Sequence, residues 1–473
     1  MLRQQFPDKH TELPMPVLGI NLRDPQHLLA HGEAVLMQQC YFDGGIRPTP
    51  GVSRVTPTAL AASTRIRGGH KAYFVTSGRL ARRLVAYGTT ISFLDDAGNA
   101  TILTNDRTAD KETYFTTWST TDKVYLANGI DNLASYDGSA YATITGTSIP
   151  TPTAPLVPVL DRLFAIVGNL IEHTNPRSDS IWSNNSAWAT FRPVRPGPFT
   201  VMHPFSLRDS GSIFPGALAF QANAYYIITG SDYGSDVTSV SPTTGYNASI
   251  QLLDPTIGTS SPRGICTVPG VGIFWFTSDL NVYHLPEGSL RGFYLGDRLI
   301  SRTATTGIES CNLAALDQVQ LSYFDRKLML RFPSGNSAYA NREFWLDLRY
   351  ELSGENKQPV WYGPMNTSTV GPMWREDQSG ELALYGGEAN AATGAYVYKL
   401  YETSLVSHAI GAATVLPTVQ YQTPYRGYDG GSTEKYVPRV RMTAVIVGAL
   451  PTIGVTDLNY VGAIQGVVSR HDG

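Results

Sequence analysis

Few residues in this chain have the types and spacing that chemistry requires. No Gly-x-Ser-x-Gly elbow occurs, which removes the usual nucleophile turn of an α/β-hydrolase. No His-Glu-x-x-His and no Gly-x-x-x-x-Gly-Lys-Ser/Thr occurs, so neither a zincin helix nor a phosphate-cradling loop is encoded. His27 and His31 stand four apart and could share a helix face. They lack a third ligand, and Gly32 weakens the helix that would hold them. Asp95 and Asp96 are adjacent, so their side chains diverge on a strand, and Ala97-Gly98-Asn99 marks a turn there, not an acid–base pair. Asp325-Arg326-Lys327 between two apolar runs reads as a hairpin tip. Arg79, Arg82 and Arg83 form the sole local basic patch, and a solvated hairpin end is its commoner role than a phosphate site. Cys40, Cys266 and Cys311 are distant and odd in number, which suits free, buried thiols of a reducing compartment. The expectation is therefore no enzyme: no catalytic residue, no cofactor-binding residue and no metal ligand is assigned.

Bulk composition agrees with a large, weakly charged fold. The chain has 473 residues, 42% of them hydrophobic and 16% charged, below the ~25% typical of soluble domains. Net charge is −3, so bulk attraction to nucleic acid or acidic membranes is absent. The N-terminus lacks an apolar signal-like stretch. The most apolar run, Met442 to Val455, is interrupted by Pro451 and is shorter than the ~20 residues of a spanning helix. A soluble protein made in the cytoplasm is expected, with no stable membrane insertion.

The 45 glycines, 30 prolines and 26 tyrosines suit many short strands joined by turns. Between Val124 and Tyr141 the chain alternates strand, Asn128-Gly129, strand and Asp137-Gly138. Asn-Gly and Asp-Gly tolerate positive φ and close two-residue hairpins. Similar units begin ~40–60 residues apart, the length of a four-stranded propeller blade. They hold Ala72–Thr76, Leu84–Tyr87 and Ile91–Leu94; then Tyr114–Trp118, Val124–Ala127 and Ala134–Tyr136; then Leu163–Val167, Leu170–His173 and Ser180–Trp182. The later units hold Ala217–Phe220 and Tyr225–Thr229; Gly264–Val268, Gly272–Phe276 and Val282–Leu285; Val319–Phe324, Lys327–Phe332 and Glu343–Leu348; and Leu382–Tyr385 with Tyr396–Leu400.

The expected fold is all-β: a β-propeller of six or seven blades with a small C-terminal β appendage. Residues 1–55 would be an N-terminal lead-in or docking segment, 56–405 the propeller, and 406–473 the appendage or a closing strand. Pro25 to Cys40 is the best helix candidate, with Leu28, Leu29, Val35 and Leu36, and His31-Gly32 keeps it short. Residues 145–158 and 193–198 read as Pro-rich extended connectors that could project as arms. Residues 435–448 read as a long strand, exposed at first and then buried. Trp182, Trp188, Phe274, Trp275, Phe276, Trp345, Trp361 and Trp374 could line a sugar-binding face, although packing between blades is commoner.

Two resemblances add expectations. Ser135-Tyr136-Asp137-Gly138-Ser139-Ala140-Tyr141 resembles the Asp-box turn of sialidase-type propellers, a structural turn remote from their active site. Such an enzyme would also need three arginines, a Tyr–Glu pair and an acid Asp converging at one face. The second resemblance lies in Gly19-Ile20-Asn21-Leu22-Arg23-Asp24-Pro25, Gly32-Glu33-Ala34, and Tyr41-Phe42-Asp43-Gly44-Gly45 with Arg47-Pro48-Thr49-Pro50-Gly51. Further phrases are Leu126 to Gly129, Tyr136 to Ser139, Ser183 to Trp188, Ile257-Gly258, Ser261 to Ile265, Ile273 to Trp275 and Val282-Tyr283. Together, over about residues 18–400, they resemble the β-propeller tail nozzle or hub proteins of short-tailed bacteriophages, which stabilise packaged DNA. That resemblance implies a structural virion protein, not an enzyme. It implies a homohexameric ring below the phage adaptor or connector ring, extending the DNA channel until ejection and anchoring tail fibre or spike proteins. Double-stranded DNA would pass the lumen without sequence-specific binding. The alternative expectation is a glycan-cleaving or carbohydrate-binding propeller.

Overall fold

The computed structural model describes residues 17–422 apart from 26–27, 31, 77, 79, 184–188, 210–211, 235, 239–245, 302–305, 351, 353–358, 366–369, 379–380, 406 and 416–419. Seven antiparallel sheets follow one another along the chain and close into a β-propeller. Blade 1 consists of Ile66–Phe74, Leu80–Tyr87, Thr90–Leu94 and Ala100–Thr104. Blade 2 holds Tyr114–Trp118, Lys123–Ala127, Ala134–Tyr136 and Tyr141–Thr143. Blade 3 holds Val157–Val159, Arg162–Val167, Leu170–His173 and Thr190–Phe191. Blade 4 holds Val201–Asp209, Ser212–Gln221, Ala224–Thr229 and Ser249–Asp254. Blade 5 holds Ile265–Val268, Gly272–Phe276, Val282–Pro286 and Phe293–Tyr294. Blade 6 holds Gln320–Phe324, Lys327–Phe332, Arg342–Asp347 and Trp361–Met365.

Blade 7 closes the ring. Val370–Gln378, Glu381–Glu388 and Val397–Glu402 are followed by Gly51–Arg54 from the beginning of the chain, with Tyr398 opposite Arg54 and Lys399 opposite Ser53. His408–Ile410 then pairs in parallel with Val52, and Ala413–Val415 lies outside it. The blade split between distant parts of the chain is thus the seventh, and its borrowed strand lies within residues 1–55.

The core sits between blades, which explains the apolar strands. Ala72, Phe74 and Leu84 of blade 1 pack on Val124, Leu126 and Tyr136 of blade 2. Equivalent clusters join blades 2 and 3, 3 and 4, 4 and 5, and 7 and 1. A sheet buried on both faces reads as a continuous apolar run instead of an alternating one. Gly272–Phe276 and Trp361–Met365 are buried at every position.

The turns carry the predicted chemistry with one exception. Asp325 and Arg326 have φ of 45° and 58°, the geometry of a two-residue hairpin between paired Phe324 and Lys327. Asp95 accepts from the Asn99 backbone and side chain, so it is a turn residue. Asp137 Oδ1 accepts from Ser139 N, Ser139 Oγ and Ala140 N, forming the expected Asx turn. Asn128-Gly129, in contrast, opens a six-residue loop, 128–133, before the next strand at Ala134. Asn128 Oδ1 accepts from the backbone N–H of Ile130 and Asp131, so the asparagine caps a wider loop than a two-residue turn.

Several local expectations are corrected. The helix expected within Pro25 to Cys40 is short: among the described residues Leu28 alone is helical, in a 3-10 turn with its N–H donating to Pro25 O at 2.8 Å, Gly32 has φ of 95°, and Leu36–Gln38 is a strand paired with Gln420–Gln422. Tertiary pairing overrides a weak helical pattern there. In blade 3 the outer strand is Thr190–Phe191; Ile181 and Trp182 make single bridges instead. Within the Pro-rich run 145–158, Val157 already begins blade 3. The 193–198 run does not project freely, since Gln221 Nε2 donates to the Arg195 and Gly197 carbonyls. The long strand expected at 435–448 lies outside the described residues. Among those described, no helix is long and apolar enough to cross a membrane.

Candidate functional site

Two N-terminal stretches, Gly19 to Asp24 and Gly32 to Ala34, fold into a clasp on the flank of blades 5 and 6. Gly19 is needed there for two reasons: its φ is +71°, and a Cβ would sit 2.3 Å from the Trp361 carbonyl. Ile20 N donates to that carbonyl at 2.8 Å, and Ala34 N to Gly19 O at 2.8 Å. Asn21 Oδ1 accepts from Arg23 N and Asp24 N, while its Nδ2 donates to Asp24 and to Glu33 Oε1. Glu33 is buried, accepts from Ala30 N and pairs with Arg298 Nη2 at 2.8 Å. Asn21, Asp24 and Glu33 are thus one knot, completed by Arg298, which no motif had singled out. The next hairpin, Cys40–Phe42 with Ile46–Pro48, is held by Arg349, which donates to Asp43 Oδ1 at 2.6 Å and to Phe42 O. Arg349 also pairs with buried Asp347 at 2.7 Å. This hydrogen bonding by Arg349 holds the Asp43 carboxyl below its usual range.

A second charged cluster lies on the propeller axis. The first strand of each blade is innermost, as contacts between the first strands of neighbouring blades indicate. Ahead of those strands stand Arg65, Glu112 and Arg263, with Arg67 near the start of blade 1. Glu112 Oε1 accepts from Arg65 at 2.8 Å and Arg67 at 3.3 Å, and Arg263 takes Glu112 Oε2. Arg263 also donates to the Arg67 carbonyl at 2.7 Å and lies over the Tyr114 ring. Blade 5 stands three blades from both 1 and 2, so this guanidinium reaches across the axis. Burial pushes the Glu112 carboxyl up, but Arg263 and Arg65 outweigh it and the group lies below the usual range. Burial raises Tyr114 to about 12. Three arginines, a tyrosine and a glutamate therefore do converge at one mouth, yet the carboxylate in the arginine cradle is the chain's own.

The other groupings with catalytic composition are interior. Tyr401 Oη donates to Glu343 Oε1 at 2.5 Å, and Arg331 pairs with Glu343. Arg331 and Glu343 side chains are 2% and 1% exposed, and burial pushes Tyr401 well above its ordinary value. This Tyr–Glu contact joins blades 6 and 7 in the buried interior. Arg83, expected at a solvated hairpin end, instead donates to both oxygens of Glu376 at 2.5 and 2.8 Å between blades 1 and 7. Arg82 lies over Phe93, and Arg79 lies outside the described residues. Trp182, Phe274, Trp275, Phe276, Trp345, Trp361 and Trp374 are all buried, as packing predicts, and Trp188 lies outside the described residues. His27 and His31 also lie outside them, and no group of three or more potential metal ligands occurs among those described. Cys40, Cys266 and Cys311 are buried and none is in a disulfide, with burial raising the thiols to about 12, 11 and 12.

Inspection of the sequence missed Arg65, Arg67, Arg263, Arg298, Arg349 and their carboxylates as clusters. Their partners are up to 306 residues apart, as for Arg349 and Asp43, and no local spacing signals such a pair.

No protein-family model matches this chain, and no curated protein does. Among solved structures, it is similar in fold to YCF48 from Cyanidioschyzon merolae, with 9% identity, a TM-score of 0.39, and coverage of 75% of this chain and 100% of that one. It is also similar to BBS1N in complex with ARL6DN, with 10% identity, a TM-score of 0.41, and coverage of 75% and 96%. The chain's own seven sheets and their closure make it a seven-bladed β-propeller.

Proposed function

We propose that this protein is a structural virion component, a propeller subunit of the tail nozzle or hub of a short-tailed bacteriophage. Six copies form a ring below the adaptor or connector. The ring extends the DNA channel, retains packaged DNA until ejection and anchors fibres or spikes. The observation that carries the reading is the clasp: the residues that resemble tail proteins, Gly19, Asn21, Asp24 and Glu33, meet in one knot that fastens the N-terminal segment to the flank of blades 5 and 6. Residues of that kind serve architecture, and a propeller whose sheet edges are closed offers rigid contact surfaces. In this reading DNA passes through the ring of subunits, because Arg263 bridges the propeller's own axis. Near-neutral charge suits sliding DNA, since a basic lumen would bind phosphates strongly.

The glycan-cleaving alternative is weaker. Its arginine cradle is filled by Glu112, and its Tyr–Glu pair is buried. Light scattering and native mass spectrometry of the purified full chain test the ring. The expected mass is about six times 51.5 kDa, as a closed cyclic assembly requires. A strict monomer over the whole micromolar range, with turnover of a glycoside, would overturn the proposal.

A further inference from the structure

Two blades end in a long outer strand that no described strand covers. Blades 2, 3 and 5 finish on strands of three, two and two residues. Blade 6 finishes on Trp361–Met365, buried at every position, and the N-terminal clasp bonds to it through Ile20 N and Trp361 O. Blade 7 is extended by His408–Ile410 and Ala413–Val415. That leaves Ala100–Thr104 of blade 1 and Ser249–Asp254 of blade 4, each the last strand of its sheet. An open outer strand presents unpaired N–H and C=O groups, a template for another strand unless charge or proline blunts it.

The two edges differ in what they present. In blade 4 the exposed positions are the polar Ser249 and Gln251, while Ile250 and Leu252 pack inward, and Asp254 ends the strand with a charge. In blade 1 Ala100, Thr101 and Ile102 are all exposed, Ile102 by 61%, and the strand holds no charge, proline or glycine. A register shift opposite Ile91 and Ser92 falls at its C-terminal end and leaves Ala100, Thr101 and Ile102 in regular pairing with Leu94, Phe93 and Ser92. Its flanks are acidic: Asp95 and Asp96 stand before it and Asp106 after it, all exposed.

This chain carries a segment with the matching pattern. Residues 442–448, Met-Thr-Ala-Val-Ile-Val-Gly, are uncharged and rich in β-branched side chains, and Arg439 and Arg441 stand directly before them. They lie outside the described residues. The last described strand, Gln420–Gln422, pairs with Leu36–Gln38 beside the outer strand of blade 6. From there the stretch 423–441 can span up to roughly 60 Å, ample to pass blade 7 and reach blade 1. A tether makes the docking intramolecular and raises the effective concentration of its own strand above that of a free competitor. Antiparallel pairing is the more stable ladder, and it sets Arg441 beside Asp106.

We infer that residues 442–448 add to the open edge of blade 1 as its fifth strand, antiparallel to Ala100–Thr104. One subunit suffices for this contact, so it holds whether or not six copies assemble. The first test is hydrogen exchange read by mass spectrometry on the full chain. The amides of Ala100–Thr104 should exchange about tenfold more slowly than in Val445→Asp with Val447→Asp, because charge within an apolar strand weakens its pairing. Ser249–Asp254 should exchange alike in both proteins, which also reports that the propeller is intact. The second test oxidises three dilute double variants, Ile102→Cys with Thr443→Cys, Val445→Cys or Val447→Cys; the native cysteines are buried. At least one should form a disulfide within a single chain. Equal exchange of Ala100–Thr104 in both proteins, protection lost at both edges alike, disulfides found only between chains, or no disulfide in any of the three would overturn the inference.

Discussion

Removing the Arg83 charge should loosen the seam at which the ring closes. Glu376 is 1% exposed and Arg83 5%, and the guanidinium meets both carboxylate oxygens between blades 1 and 7. Arg83→Met keeps much of the aliphatic volume and leaves Glu376 buried with weaker support: Lys71 Nζ at 3.4 Å and Trp374 Nε1 at 2.8 Å. Breaking a buried pair from one side costs roughly 3–5 kcal/mol. The residual partners place this case at the lower end, about 3 kcal/mol. Arg83→Met combined with Glu376→Leu should recover part of that, because the carboxylate is no longer buried without its guanidinium, while Lys71 and Trp374 Nε1 lose their acceptor. The pH dependence follows from Glu376. In the native protein burial raises its pKa, but hydrogen bonding and charge from Arg83 outweigh this and hold it below the ordinary value. A depressed carboxyl stabilises the fold above its unfolded pKa and loses that contribution as pH falls through the folded one. In the variant the burial contribution dominates, Glu376 takes up a proton more readily, and the deficit should shrink between pH 7.5 and 5. Urea unfolding followed by tryptophan fluorescence at both pH values reads this out. A deficit under about 1 kcal/mol at pH 7.5, the range of an exposed pair, or a deficit that grows on acidification, would refute the reasoning.

Three other outcomes follow. Burial lowers His70 and His203 to about 4, so each is neutral in the fold; stability is complete above about 6.5 and falls as pH drops toward 4. His70→Gln with His203→Gln should flatten that slope, and histidine NMR resonances titrating near 6.5 in the native protein would contradict it. Cys40, Cys266 and Cys311 should resist iodoacetamide at pH 8 in the native state and all label after unfolding without reductant; a disulfide found by mass spectrometry would count against this. Deleting residues 1–55 removes Gly51–Arg54 and bares the edge of Val397–Glu402, so aggregation is expected; a soluble truncation of equal stability would show that the borrowed strand is dispensable.

The blades were legible because both strand period and turn chemistry are local. Lys327–Phe332 and Gly272–Phe276 announce themselves as apolar runs, and Asp325-Arg326 as the tip between two of them. Blade number became fixed only by which strand closes the sheet, and Gly51–Arg54 looks like any turn-flanked tetrapeptide. The extent of the helix expected within Pro25 to Cys40 was misjudged for a related reason: Leu36–Gln38 has a distant partner at Gln420–Gln422 that sequence spacing does not reveal. Arg83 was misplaced at a solvated tip because Glu376, 293 positions away, is what makes a buried arginine tolerable there. Asn21 and Glu33 were marked by resemblance alone, and their partner Arg298 carried no signal.

The most direct test of the central claim is cryo-electron microscopy of the native assembly formed by the full chain, with the seven-bladed subunit fitted into the map. The account predicts six propellers around the axial DNA channel, each with its Gly19–Ala34 clasp against blades 5 and 6 and the channel lying between subunits. A single copy on the axis, or copies held only as peripheral fibres without contact to the channel, would contradict it.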